Sequence, residues 1–253
     1  MSTPDPTGAG RSHYKNLYER DLLDEARWLE FGALGKCDSI EVLLKKAAIA
    51  PTTVLEIGCG SGAILRELRR RGIGARYTGV DYSETAIDYA KNCCREIDFR
   101  KADITDGFFA PPGTHYDLIV LSHVLEHLED PRPILRAVRA LSFCVFIAEV
   151  PLEDLPAARL KSFVRDRRNN LAGHVQFFNA RSFRDLIAST GFHIAGDRRY
   201  PNVLSRESVR LANRRNRFSP VRGFVYMMTC HDLPRLVPLW SRLYYAHYAV
   251  LCT

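Results

Sequence analysis

The run Ser122-His123-Val124-Leu125-Glu126-His127 sets two imidazoles and a carboxylate at i, i+3 and i+4 from His123. On a helix those three side chains would share one face. A further imidazole, His174, follows in "GHVQFFN". Histidine titrates near neutrality, so His127, His174 and His123 are candidates for taking a proton from a hydroxyl or for positioning an acceptor. The same set could hold a metal. Imidazoles with one carboxylate suit zinc, iron or cobalt better than magnesium. H-x-x-E-H is also a zinc-hydrolase pattern. Here it follows the apolar run "YDLIVLS", which reads as a sheet strand, and that context argues against hydrolysis. His13, His115, His193, His231 and His247 read as surface or core residues.

A second constellation gathers around "VLEIGCGSGAIL" (54–65). An apolar run carrying Glu56 passes into Gly58, Cys59, Gly60 and Gly62, and then into an amphipathic helical pattern. Glycines in such a turn let a ligand press against the backbone. Acids follow at Asp81 and Asp103. Gly58, Gly60 and Ala63, with Asp81 about 20 residues on, fit the dinucleotide fingerprint. Against that reading, Glu56 would crowd a pyrophosphate drawn to the helix N-terminus. A ligand without phosphate and with a positive centre would be at ease among these acids. Helix capping is the ordinary alternative for Asp81 or Asp103 taken singly.

The elements that must position these residues alternate. Strand patterns fall at 53–57, 76–81, 97–101, 116–122 and 142–149, with helix patterns at 61–71, 83–95 and 132–140 between them. Such alternation predicts a doubly wound α/β fold with a mostly parallel sheet. Residues 181–192 predict a further helix ending at Gly191, with strands at 192–199 and 247–253. Two helices are expected at 14–31 and 38–48. The segment 1–13 reads as a disordered tail, and 14–253 as one domain with a cofactor core at 50–195. Residues 14–48, 151–178 and 200–246 are expected to cover an acceptor pocket, with Tyr14, Tyr18 and Trp28 as lining candidates. The 200–246 stretch is too long for a structureless loop and predicts a helical insertion, broken or restarted at Pro238.

The motifs "VLEIGCGSG", "YTGVDYSETAIDYAK", "KADI", "YDLIVLSHVLEHLEDP" and "GHVQFFNARSFRDLIASTGF" follow one another over roughly 50–195. In this order and spacing the chain resembles the class I S-adenosylmethionine-dependent methyltransferases. The resemblance implies a seven-stranded, mostly parallel sheet and S-adenosylmethionine as cofactor. It implies that Glu56 and Gly58, Cys59 and Gly60 pack against the methionyl part, and that Asp81 takes the ribose hydroxyls. Tyr82 would lie along the adenine, Asp103 would accept its amino group with the Ile104 backbone beside it, and Ser122 would sit near the sulfonium. Closest in pattern are the ubiquinone-pathway-like small-molecule O-methyltransferases, which carry E-x-x-E-H where this chain has His123, Glu126 and His127. Small-RNA 2′-O-methyltransferases add a later histidine that His174 resembles. The histidine in place of the first glutamate disfavours a divalent metal here, although the ligand types would allow one.

Composition narrows the partners. Residues 195–253 hold ten arginines, no lysine and three acids, so the net charge of +7 falls entirely there. These arginines lie scattered between apolar stretches rather than in a dense basic run. That disfavours a nucleic-acid partner and leaves room for an anionic small-molecule acceptor. Seven cysteines without a C-x-x-C pair fit a reduced, cytoplasmic setting. No apolar run approaches the ~20 residues that span a bilayer. The expected function is O-methylation of a polar small molecule such as a sugar or secondary metabolite. The rivals are a metal-assisted RNA methyltransferase and a non-catalytic cofactor-binding module. Oligomeric state is not legible.

Overall fold

The computed structural model describes residues 8–103, 113–156, 172–201, 203–237, 239–243 and 246–253, with 8–20 described by their backbone alone. Seven strands, β1 (Thr53–Ile57), β2 (Arg76–Asp81), β3 (Asp98–Lys101), β4 (His115–Ser122), β5 (Ser142–Leu152), β6 (Ile194–Pro201) and β7 (Ala246–Cys252), form one sheet in the order β3-β2-β1-β4-β5-β7-β6. Pairing is parallel through β5, and β7 runs antiparallel to both its neighbours. The central strands are apolar on both faces because both faces are covered, as parallel sheets require. Leu55, Ile119, Leu121 and Phe146 pack into one core layer; Val54, Leu118, Val120 and Ile147 pack into the other.

Helices α2 (Ala63–Arg70) and α3 (Glu84–Cys93) follow β1 and β2, and α4 (Arg132–Arg139) precedes β5. Ser83 caps α3 through the Ala86 amide, and Asn179 forms a capping box with Ser182 at the start of α5 (Ala180–Ser189). The chain order reverses between β1 and β4. In open α/β sheets that reversal opens the ligand crevice beyond the carboxyl ends of the strands.

The expected strands and core helices stand within a few residues of their predicted limits. The N-terminal region differs. The helical stretch α1 (Gly8–Lys46) is two helices joined across a kink at Asp21, whose φ and ψ are non-helical, so the break falls there and not between the expected helices at 14–31 and 38–48. Gly32 and Gly35 do not break it, because Ala33, Cys37 and Ile40 bury a continuous stripe against the sheet. The helix also takes up residues 8–13, which the sequence assigned to a disordered tail.

The insertion between β6 and β7 is helical as expected: α6 (Arg206–Arg215), α7 (Pro220–Met227), a π-turn at Met228–Asp232, and short helices at Leu233–Leu236 and Trp240–Leu243. Pro238 and residues 157–171 of the expected 151–178 cover lie outside the described residues. Among the described residues no helix is long and apolar enough to cross a membrane.

Candidate active site

Glycine is required twice at the turn after β1. Gly58 has φ +74°, and a Cβ there would stand 2.4 Å from Val124 Cγ2, in the segment that follows β4. Gly62 has φ +73°, and its Cβ would meet Phe99 Cζ at 2.4 Å. Gly62 is therefore needed to seat α2 on β3, a packing role. The Gly58 and Cys59 amides both donate to Val80 O, at 2.8 and 3.0 Å, which folds the turn back over β2.

Asp81 ends β2 and is buried. Its Oδ2 accepts from the Gly60 amide at 2.8 Å and its Oδ1 from the Ser83 amide at 2.9 Å. Asp81 therefore does not cap α3; Ser83 does. A pyrophosphate would need the Gly60 amide that Asp81 already occupies. Glu56 is buried two residues before the turn, and Oε2 has no hydrogen-bond partner. Burial pushes its carboxyl up to about 8 despite the charge of Lys36. A protonated, partly unpartnered carboxyl beside Asp81 costs little in the empty site, and a cationic ligand brought against it would favour its ionisation where a phosphate would not. The Cys59 thiol is buried and pushed far above its ordinary value by desolvation, so its contribution is its backbone. Tyr82 and Asp103 follow β2 and β3 and are partly buried. Ile104 lies outside the described residues.

The histidine run does not form the expected helical face. Only Leu125–His127 makes a single 3₁₀ turn, and His123 stands before it at φ +58°. The left-handed residue turns His123 away from His127, a strain that folded structure must hold in place. His123 Nε2 lies 2.8 Å from His247 Nδ1 and 3.4 Å from Glu149 Oε1. His127 faces the other way: Nδ1 donates to Gly173 O at 3.2 Å, and the ring packs edge-on to His174 at 4.9 Å between centroids. The Val175 and Gln176 amides donate to Glu126 O, which docks the 172–179 segment against the 3₁₀ turn. Glu126 stands between the two histidine groups, its Oε1 3.4 Å from His123 Nδ1 and 3.9 Å from His127 Nε2. Fully buried and without a hydrogen-bond partner at either oxygen, its carboxyl is raised to about 7.

His174 is buried, and its Nδ1 lies 2.5 Å from Glu153 Oε2, just past β5. Burial disfavours the imidazolium, but the Glu153 carboxylate outweighs it and the pKa of His174 rises. His123, by contrast, is held low by desolvation and the Lys36 cation. Glu149 would rise on burial alone; the imidazoles of His123 and His247 facing its Oε1 overcome that and lower it. Ser122 Oγ donates to Glu149 Oε1 at 3.4 Å.

Sequence reasoning missed Glu149, Glu153, Tyr200, Lys36 and the placement of His247. One signal was available: Glu149 interrupts the apolar run of β5 as Glu56 interrupts that of β1. The missing link was topological. His247 reaches the site only because β7 inserts antiparallel beside β5, pairing His247 with Pro151 and Tyr200.

The sheet order, the glycine turn held by an acid at the end of β2, and the buried carboxylates beyond the strand ends define a class I methyltransferase, an enzyme class that uses S-adenosylmethionine. A methyltransferase-domain family model matches residues 17–195, and the chain belongs to that family. Among curated proteins it is 30% identical over 134 residues to a ubiquinone biosynthesis O-methyltransferase of Thiobacillus denitrificans, covering 51% of this chain and 50% of that protein. The chain thus spans about half the length of the curated relatives it matches.

Among solved structures, a Thermotoga maritima S-adenosylmethionine-dependent methyltransferase aligns with TM-score 0.58 at 17% identity, over 93% of this chain and 97% of that one. A Haemonchus contortus phosphoethanolamine N-methyltransferase 2, in complex with S-adenosylhomocysteine and phosphomonomethylethanolamine, aligns with TM-score 0.64 at 13% identity, over 96% and 59%. At these identities the structures establish the fold.

Proposed function

We propose that this chain methylates a hydroxyl of a polar small molecule, with S-adenosylmethionine as donor. The cofactor would lie across Gly58, Cys59 and Gly60, with Glu56 toward its methionyl part and Asp81 toward the ribose. Tyr82 and Asp103 would flank the adenine, and Ser122 would face the sulfonium. When bound, the cofactor supplies a methyl group already activated for in-line displacement, so the protein's work is alignment, water exclusion and proton handling.

The observation that carries the reading is the His174–Glu153 pair. With Nδ1–H given to Glu153, Nε2 is the proton acceptor, and the carboxylate stabilises the imidazolium that forms. This is the orienting-acid logic of hydrolase triads. A base is needed when an alcohol or phenol is methylated. His127, edge-on to His174 and fixed by Gly173 O, would shape the pocket mouth.

The arginines favour a small acceptor over an RNA. Arg198 donates to Asp38 O at 2.6 Å, Arg214 pairs with Asp24 at 2.8 Å, and Arg215 pairs with buried Glu25 at 2.5 Å. Two of the ten arginines of the C-terminal quarter thus pair with acids of α1, and a third binds its backbone.

The test is incubation of the protein with labelled S-adenosylmethionine and two fractions of a cell extract, small molecules and RNA. Label in the small-molecule fraction on an oxygen supports the reading. Label in RNA, together with submicromolar RNA affinity that falls steeply with salt, would replace it. Label in neither fraction would favour a binding module.

A further inference from the structure

We propose that His123, Glu149 and His247 form a binding site for one divalent transition-metal ion of the zinc type, separate from the Glu126–His127–His174 group. Glu149 lies in β5 and His247 in β7, and His123 directly follows β4, so the sheet positions all three ligands.

The donor atoms His123 Nε2, His247 Nδ1 and Glu149 Oε1 are 2.8, 3.4 and 3.5 Å apart. A triangle with these edges has a circumradius of about 1.9 Å, so a point about 2.0–2.1 Å from all three atoms exists. That is the length of a zinc–nitrogen or zinc–oxygen bond. The two edges to Glu149 already match the separation of ligands around a tetrahedral ion, and only the 2.8 Å imidazole–imidazole edge must open, by about half an ångström.

The outer contacts suit ligation. Metal-bound histidine usually gives its second ring nitrogen to a carboxylate, which fixes the tautomer. His123 Nδ1 is 3.4 Å from Glu126 Oε1, an oxygen without a hydrogen-bond partner of its own, so that carboxylate is placed to take the Nδ1 proton when Nε2 binds the ion. Tyr200 Oη donates to Glu149 Oε2 at 2.9 Å, so Oε1 faces the two imidazoles with only the long 3.4 Å contact from Ser122 Oγ beside them. Tyr200 also stacks on His247 at 5.1 Å, and His247 stacks on His123 at 4.7 Å, so the rings are held in place. Gly35 of α1 covers Tyr200, with a built Cβ 3.5 Å from its ring. Glu149 and His247 are 2% and 6% exposed, too dry for an adventitious surface ion.

Two imidazoles and one carboxylate select zinc or cobalt over magnesium and calcium. Three protein ligands leave a fourth position for water or an acceptor oxygen.

The test uses the full chain, purified without metal-affinity resin, stripped with chelator, and titrated with Co²⁺ and then Zn²⁺. One equivalent of Co²⁺ should develop the visible bands of a four-coordinate site, and Zn²⁺ should displace it. Glu149→Gln and His247→Ala should abolish the bands, and Tyr200→Phe should weaken Co²⁺ binding about 10–100-fold. His174→Ala should leave the bands intact. S-adenosylhomocysteine binding reports that each variant is folded, and His247→Gln replaces His247→Ala if the latter is not. Absence of bands in the wild type would overturn the proposal, as would their loss in His174→Ala and survival in folded Glu149→Gln.

Discussion

Asp81 Oδ2 accepts the Gly60 amide at 2.8 Å, so the carboxylate that ends β2 pins the glycine turn that follows β1. One side chain thereby shapes the turn and presents an acid to whatever lies over it. Asp81→Asn should weaken S-adenosylhomocysteine binding by about 1–3 kcal/mol, through lost charge-assisted hydrogen bonds. Calorimetry checks this, and unchanged affinity would remove Asp81 from the ribose position.

Gly62→Ala should lower stability rather than ligand affinity. The new methyl group would collide with Phe99 and sit on a left-handed backbone, together costing about 1–3 kcal/mol. Denaturant unfolding with and without cofactor separates the two effects. A normal midpoint with weakened binding would return Gly62 to the ligand turn.

Most of the scaffold was legible because buried strands and amphipathic helices write their periods into the sequence. The glycine turn, Asp81 and the core elements are local, so their spacing carries them. The histidine cluster is not local. His123 lies 124 residues from its partner His247, and whether His123 faced His127 or β7 depended on one left-handed residue. The passage of α1 through Gly32 and Gly35 was hidden for a different reason: two glycines weaken helix propensity, and burial of the stripe beside them overrides it.

The pH dependence of turnover should report His174. The base must be neutral, so activity rises with pH through a value lifted above the ordinary histidine range by Glu153. Glu153→Gln removes that support. Its limb should move to lower pH and its turnover should fall, while His174→Ala should lose roughly 10²–10⁴-fold. A kcat/KM profile whose limb does not move in Glu153→Gln would dissociate the pair from the chemistry.

Stability of the ligand-free protein should fall as pH rises through the neutral range. The Glu56 carboxyl is raised by burial to about 8, so its contribution is full below the unfolded value near 4.5 and is lost as pH climbs through the folded one. Glu126 acts with the same sign around 7. Glu56→Gln stays neutral throughout. Between pH 5 and 9 it should flatten the profile by on the order of 2–4 kcal/mol. Parallel unfolding profiles for the two proteins would place an ionised Glu56 in the empty site.

Asp81 on the Gly60 amide and the buried Glu56 make this a crevice for a phosphate-free, cationic cofactor. Side-by-side titration calorimetry of S-adenosylmethionine, S-adenosylhomocysteine and NAD tests it most directly. The first two should bind saturably and one-to-one, more weakly in Asp81→Asn, and NAD should give no heat. Binding of NAD alone would contradict it.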